Sequence, residues 1–133
     1  MKLTDLLHEV MTDVDAYLDS GLKDGHSVFI SADLVETAAA LADGTPSVLV
    51  SIPRIEIQTQ HMGMLEVELY IITPHSGAST LEATKALDPL LEVLTSSPAL
   101  DMYGFEEVEL SLVSVDSLQY PAFKLTGRVS YEQ

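Results

Sequence analysis

The sequence predicts one α+β domain over residues 1–133: a mainly antiparallel sheet of two long hairpins, with two main helices packed on one face. Three observations carry that prediction. Leu3, Leu6, Leu7, Val10, Met11, Val14, Tyr17 and Leu18 recur at helical spacing and form one apolar stripe. Two later stretches, around 47–73 and 107–131, alternate apolar and polar residues with the period of a half-buried strand. Between them the order runs helix, short strand, short helix, strand pair, helix, strand pair, without tandem repeats or internal linkers, which suits helices laid on one side of an antiparallel sheet.

The first helix follows from the apolar stripe, and Ser20-Gly21 is its stop signal. A turn at Lys23-Asp24-Gly25 leads into the short strand Val28-Phe29-Ile30. Asp33 with Glu36 three residues later reads as a capping box, so a short helix is expected from Asp33 to Ala42, ended by Asp43-Gly44-Thr45-Pro46.

Residues 47–57 are β-branched and alternate on either side of Pro53. A proline cannot donate to a ladder, so the strand bulges there or lies at an edge. Gln58 to Gly63 forms a polar tip, and Met64 to Thr73 returns, with Leu65, Val67, Leu69 and Ile71 opposite in phase to Glu66, Glu68 and Tyr70. After the loop Pro74-His75-Ser76-Gly77, Ser79 and Glu82 give a second capping box ahead of Leu87, Leu90, Leu91 and Leu94. Pro89 is expected to kink or restart that helix, and Ser96-Ser97-Pro98 to end it. A loop is expected over Asp101 to Gly104. Two strands then follow, Glu107 to Val115 and Ala122 to Tyr131, joined by Gln119-Tyr120-Pro121.

Composition excludes several function classes. There are 21 Asp and Glu against 6 Lys and Arg, a formal net charge of −15. A generic phosphate-backbone binder needs a basic face for counterion release, and an anionic membrane surface repels this chain for the same reason. The absence of cysteine removes disulfides, thiolate zinc sites and thiol redox chemistry. At 47 % apolar residues the chain can fold despite its charge. The acids Asp5, Glu9, Asp13, Asp15 and Asp19 are incompatible with a secretory leader, and no run approaches the ~20 apolar residues of a membrane span. A reducing cytosol, or an assembly built there, is the expected setting.

Motifs for catalysis are missing. The glycines form no phosphate-binding loop, and Ser76-Gly77 beside His75 has only a turn's composition. Asp5, His8 and Glu9 are helical neighbours and Asp13-Val14-Asp15 resembles the start of a calcium loop. The glycine and glutamate such a loop requires are absent, so a solvated helix face is the expectation. Neither a metal, a cofactor nor an enzymatic activity is expected.

Surface features remain. Met62 and Met64, with His61 beside them, sit at the hairpin tip, either as an adaptable partner contact or tucked into the core. Glu66 and Glu68 share one strand face, as do Glu107 and Glu109; if those strands are neighbours, four like charges form a row. Such a row is an exposed face with room for counterions, a subunit interface or a channel wall. Arg54, Lys124 and Arg128 fall on strands, where they pair with acids of the same chain or of a neighbour.

The sequence fragments VFISAD, VLVSIPRIEI, LEVELYIITP and YPAFKLTGRVSYEQ, in that order behind an amphipathic helix, resemble the tail terminator (tail-completion) proteins of long-tailed bacteriophages. The likeness is strongest at Val48 to Ile57, with Pro53-Arg54 inside the strand, and at Tyr120 to Tyr131. It spans nearly the whole chain and contains no motif that carries over an individual residue. It implies a non-enzymatic virion protein at the head-proximal end of the tail, assembled in the host cytoplasm. There a homo-oligomer, a hexameric ring, caps the tail tube protein, ends its polymerisation and docks onto the head connector or stopper protein. DNA would pass through the lumen without being held. On that reading His61, Met62 and Met64 stack against tube or connector, and Glu66, Glu68, Glu107, Glu109, Arg54 and Arg128 serve ring contacts or the lumen. Other head-tail connector or minor tail proteins fit the same description. An acidic DNA mimic that inhibits a nucleic-acid-binding protein is the alternative from a different class.

Overall fold

The computed structural model describes residues 2–22, 28–96 and 99–132. The expected turn at Lys23-Asp24-Gly25 and the Ser97-Pro98 end of the second main helix lie outside the described residues. The elements run α1 (Leu3–Gly21), β1 (Phe29–Ser31), α2 (Leu34–Ala42), β2 (Ser47–Ile57), β3 (Met62–Ile72), α3 (Thr80–Leu94), α4 (Ala99–Tyr103), β4 (Glu107–Val115) and β5 (Leu118–Glu132). The fold is α+β, built on one five-stranded sheet of order β1-β2-β3-β5-β4. Pairing is antiparallel throughout except β1, which runs parallel to β2, so the sheet is mixed.

Local chemistry accounts for most boundaries. The Asp33 carboxylate accepts hydrogen bonds from the backbone N–H of Val35 (2.8 Å) and Glu36 (3.4 Å), and Ser31 Oγ donates to Glu36 Oε2 at 3.1 Å. Ser79 Oγ accepts from the Glu82 N–H at 3.2 Å, the second cap the sequence predicts. At Pro53 the β2–β3 register shifts between Ser51 and Arg54. Because β1 pairs only with 47–49, this half of β2 is a sheet edge, and the proline's missing donor leaves no ladder bond unmade.

Three expectations are corrected. Of the kink or restart expected at Pro89, the restart does not occur: α3 runs from Thr80 to Leu94 as one helix through the proline. The stretch expected to be a loop at Asp101 to Gly104 is mostly the short helix α4. The β4–β5 turn is Asp116-Ser117, not Gln119-Tyr120-Pro121. Val115 pairs with Leu118, and both turn residues take positive φ (48° and 69°), as a tight two-residue turn of the primed type requires. Neither is glycine, so the usual turn signal is missing. Pro121 lies within β5, one residue short of the pairing with β3, which begins at Ala122.

Helices α1 and α3 lie on one face and close the main core. Val10, Val14 and Leu18 of α1 and Leu87, Leu90 and Leu94 of α3 pack on Val48, Val50, Leu65, Val67, Leu69, Ile71 and Leu125. α2 goes to the opposite face. Its Leu41 joins Ile72, Tyr120 and Ala122 in a second, smaller cluster. Four-fifths of the sheet therefore has helical cover on its apolar side, over β1, β2, β3 and β5.

Candidate functional site

The polar face of the sheet gathers most of the residues singled out from the sequence. Cross-strand partners point to the same face, so the register places Arg54, Glu56, Met64, Glu66, Glu68, Tyr70, Lys124, Thr126, Arg128, Glu107 and Glu109 together. The row of four glutamates that adjacent strands would give does not form, because β3 and β4 are not neighbours. β5 runs between them and interleaves its own basic residues. Glu66 lies directly between Arg54 on β2 and Arg128 on β5. Glu68 and Glu107 flank Thr126 from opposite sides, and Glu109 faces Lys124.

The chain satisfies part of this charge internally. Lys124 Nζ lies 3.5 Å from Glu68 Oε1, with its ammonium 6.0 Å from the centroid of the Tyr70 ring. The Tyr70 hydroxyl donates to Glu68 Oε2 at 2.9 Å. Glu68, ahead of Tyr70, holds the Lys124 ammonium charged by raising its pKa. Burial first, and then the bond to Glu68, raises the Tyr70 hydroxyl. Arg54, Glu56, Met64, Glu66 and Arg128 line one shallow depression on this face. The result is a surface of alternating sign, tied across strands by the Lys124–Glu68 ion pair.

His61 and Met62 stand exposed at the β2–β3 tip, where Thr59 Oγ1 accepts hydrogen bonds from both backbone N–H groups (3.3 and 3.1 Å). Met64 lies two residues further in on the polar face and is half-buried. The tip therefore presents His61 and Met62 together, with the exposed Ile57 next to them, and withdraws Met64 towards the glutamates.

Sequence reasoning missed a second surface. β4 alternates like any covered strand, and Val108, Leu110 and Leu112 point to the helix side. Among the described residues no helix covers them, and they remain 53, 47 and 58 % exposed. β4 is also the terminal strand, so its outer N–H and C=O groups pair with nothing in the described chain. At the other end of the sheet, beside β1, the first turn of α2 exposes Leu34 and Val35 (46 and 78 %). No local signal separates a covered from an uncovered amphipathic strand; the difference depends on where distant helices pack.

A cleft of about 360 Å³ was also invisible to sequence reading. It opens between α1, α4 and the far ends of β3 and β5. The Tyr103 hydroxyl donates to Asp13 Oδ2 at 2.6 Å on its wall. Burial first, and then this bond, pushes that hydroxyl far above the ordinary phenol range. Among the described residues, no group of three or more His, Asp or Glu side chains is placed to hold a metal ion, and no helix is long and apolar enough to cross a membrane. No protein-family model and no curated protein matches the chain.

Proposed function

We propose that this chain is a structural ring protein of a long-tailed phage, capping the tail tube, ending its polymerisation and joining the tail to the head connector. The observation that carries the reading is the open, apolar β4 edge. A strand with unpaired backbone groups and a row of exposed Val108, Leu110 and Leu112 invites sheet extension by another chain. Leu34 and Val35 form the second exposed apolar patch, at the opposite end of the sheet. Two different patches at opposite edges match head-to-tail contacts, which close into a ring when the subunit rotation divides the circle. The sequence fragments described above, from Val48 to Ile57 and from Tyr120 to Tyr131, supply the likeness to tail terminators.

The charge pattern fits the same role. A formal net charge of −15 keeps a DNA conduit from gripping phosphates, since strong binding requires clustered Lys and Arg. The basic residues Arg54, Lys124 and Arg128 interrupt the acids of the polar face, which favours the ring over a DNA mimic with an unbroken carboxylate array. The reading is tested by adding the purified chain to the tail tube protein of the same phage during polymerisation in vitro. Tubes that stop growing and carry a ring at one end in negative-stain images support it. Tubes that lengthen at the same rate, with bare ends, overturn it.

A further inference from the structure

We propose that the free half of β2 receives β4 of the neighbouring copy, with Arg54 pairing across the contact with Glu109. The inference rests on the ring reading, and it supplies the counter-surface that the β4 edge requires in a second copy of this chain.

β2 is open along most of its outer side. β1 pairs with residues 47–49 only, so among the described residues nothing pairs with the outer edge over residues 50–57. Pro53 interrupts that edge, because its nitrogen has no hydrogen to donate, and residues 54–57 remain as the uninterrupted stretch. Leu34 and Val35, exposed beside β1, lie on the same flank of the sheet.

Direction and facing agree. β2 is antiparallel to β3, β3 to β5 and β5 to β4, so β4 runs opposite to β2. A copy that continues the sheet, helix side to helix side, therefore presents its β2 to β4 in the antiparallel sense without inversion. Ile55 and Ile57 lie across from Leu65 and Gly63 on the helix side, and Ile57 is 71 % exposed. They extend the exposed row of Val108, Leu110 and Leu112 across the contact.

Charge selects the same partner. β4 carries neither Lys nor Arg. Glu107 and Glu109 are exposed on its polar side and have no ion-pair partner among the described residues; Lys124, which faces Glu109, is paired with Glu68. Arg54 is exposed on the polar side of β2, and although Glu66 lies across from it on β3, no ion pair forms between them. An arginine on one open edge thus meets acids on the other, with apolar residues matched on the opposite face. The register that sets Arg54 opposite Glu109 sets Ile55 opposite Val108 and Glu56 opposite Glu107. The last pair is of like charge and opposes the contact.

The test is size-exclusion chromatography with light scattering over a dilution series at about 150 mM salt, which reads the concentration at which the ring half-dissociates. Arg54→Glu is expected to raise it about tenfold or more, because the new carboxylate faces two others. Glu109→Lys should weaken the ring likewise, and the double variant Arg54→Glu/Glu109→Lys should return to within about threefold of the native chain. Glu56→Gln should tighten the ring about threefold by removing the like-charge pair. Arg128→Glu makes the same charge change beside Glu66, two strands further in, and should stay within about twofold of native. Thermal melting confirms that each variant is folded. A ring as tight in Arg54→Glu as in the native chain overturns the proposal and leaves the ring reading standing. So does a double variant no tighter than either single one, or an Arg128→Glu variant weakened as much as Arg54→Glu. A native chain that is monomeric at every concentration overturns the ring reading itself, and this contact with it.

Discussion

The Tyr103 hydroxyl donates a 2.6 Å hydrogen bond to Asp13 Oδ2 across a sequence separation of 90 residues. It joins the middle of α1 to the end of α4, the five-residue helix that precedes β4. The Tyr103 ring is wedged between Tyr17, edge-on at 6.4 Å, and Phe105, tilted at 5.6 Å. These contacts hold the wall of the cleft and the approach to the open strand in one arrangement.

Tyr103→Phe keeps the ring and removes the bond. It is expected to cost about 1.5–3 kcal/mol, the range for a hydrogen bond to a charged group, measured by chemical denaturation.

The same residue sets an alkaline limit. Tyr103 is nearly fully buried and its pKa in the fold lies above the unfolded phenol value near 10. Below that value both states hold the proton and the stabilisation is complete. Above it the unfolded chain releases a proton that the folded chain retains, so stability falls by up to about 1.4 kcal/mol per pH unit for this group. Tyr103→Phe should make the alkaline limb shallower. It should not abolish it, because burial also raises Tyr17 and Tyr70.

Gly127 provides an independent check on how α4 meets the sheet. A Cβ there would lie 2.3 Å from the Tyr103 carbonyl oxygen and 2.9 Å from the Phe105 ring. Since the obstacle is backbone, Gly127→Ala is expected to destabilise by about 3 kcal/mol, at the upper end for overpacking. It should also raise amide exchange in α4.

Asp33→Ala should remove both capping bonds of α2 at a cost of about 1 kcal/mol. Hydrogen exchange should rise in α2 and not in α1, because α2 is held by its own small cluster around Leu41 on the far face of the sheet.

What was legible in the sequence was local. The caps at Asp33 and Ser79 and the irregularity at Pro53 are written within four residues of where they act. The β4–β5 turn was misplaced because Asp116-Ser117 reaches positive φ without glycine, while Pro121, four residues after Ser117, looks like a stronger breaker. Strand order was illegible for a different reason. Glu107 and Glu109 alternate identically whether β3 or β5 lies beside them, so the interleaving of Arg128, Thr126 and Lys124 required long-range pairing to be known. The cleft depends on Asp13 meeting Tyr103, a contact with no sequence signature at all.

The central claim is that the β4 edge joins copies of this chain into a ring. Size-exclusion chromatography with light scattering, on the native chain and on Leu110→Asp, tests it most directly. Leu110 is exposed in the single chain, so the substitution should leave its folding intact. The account predicts a hexamer for the native chain and a folded monomer for Leu110→Asp. A native chain that stays monomeric at every concentration, or a Leu110→Asp variant that remains hexameric, would contradict it.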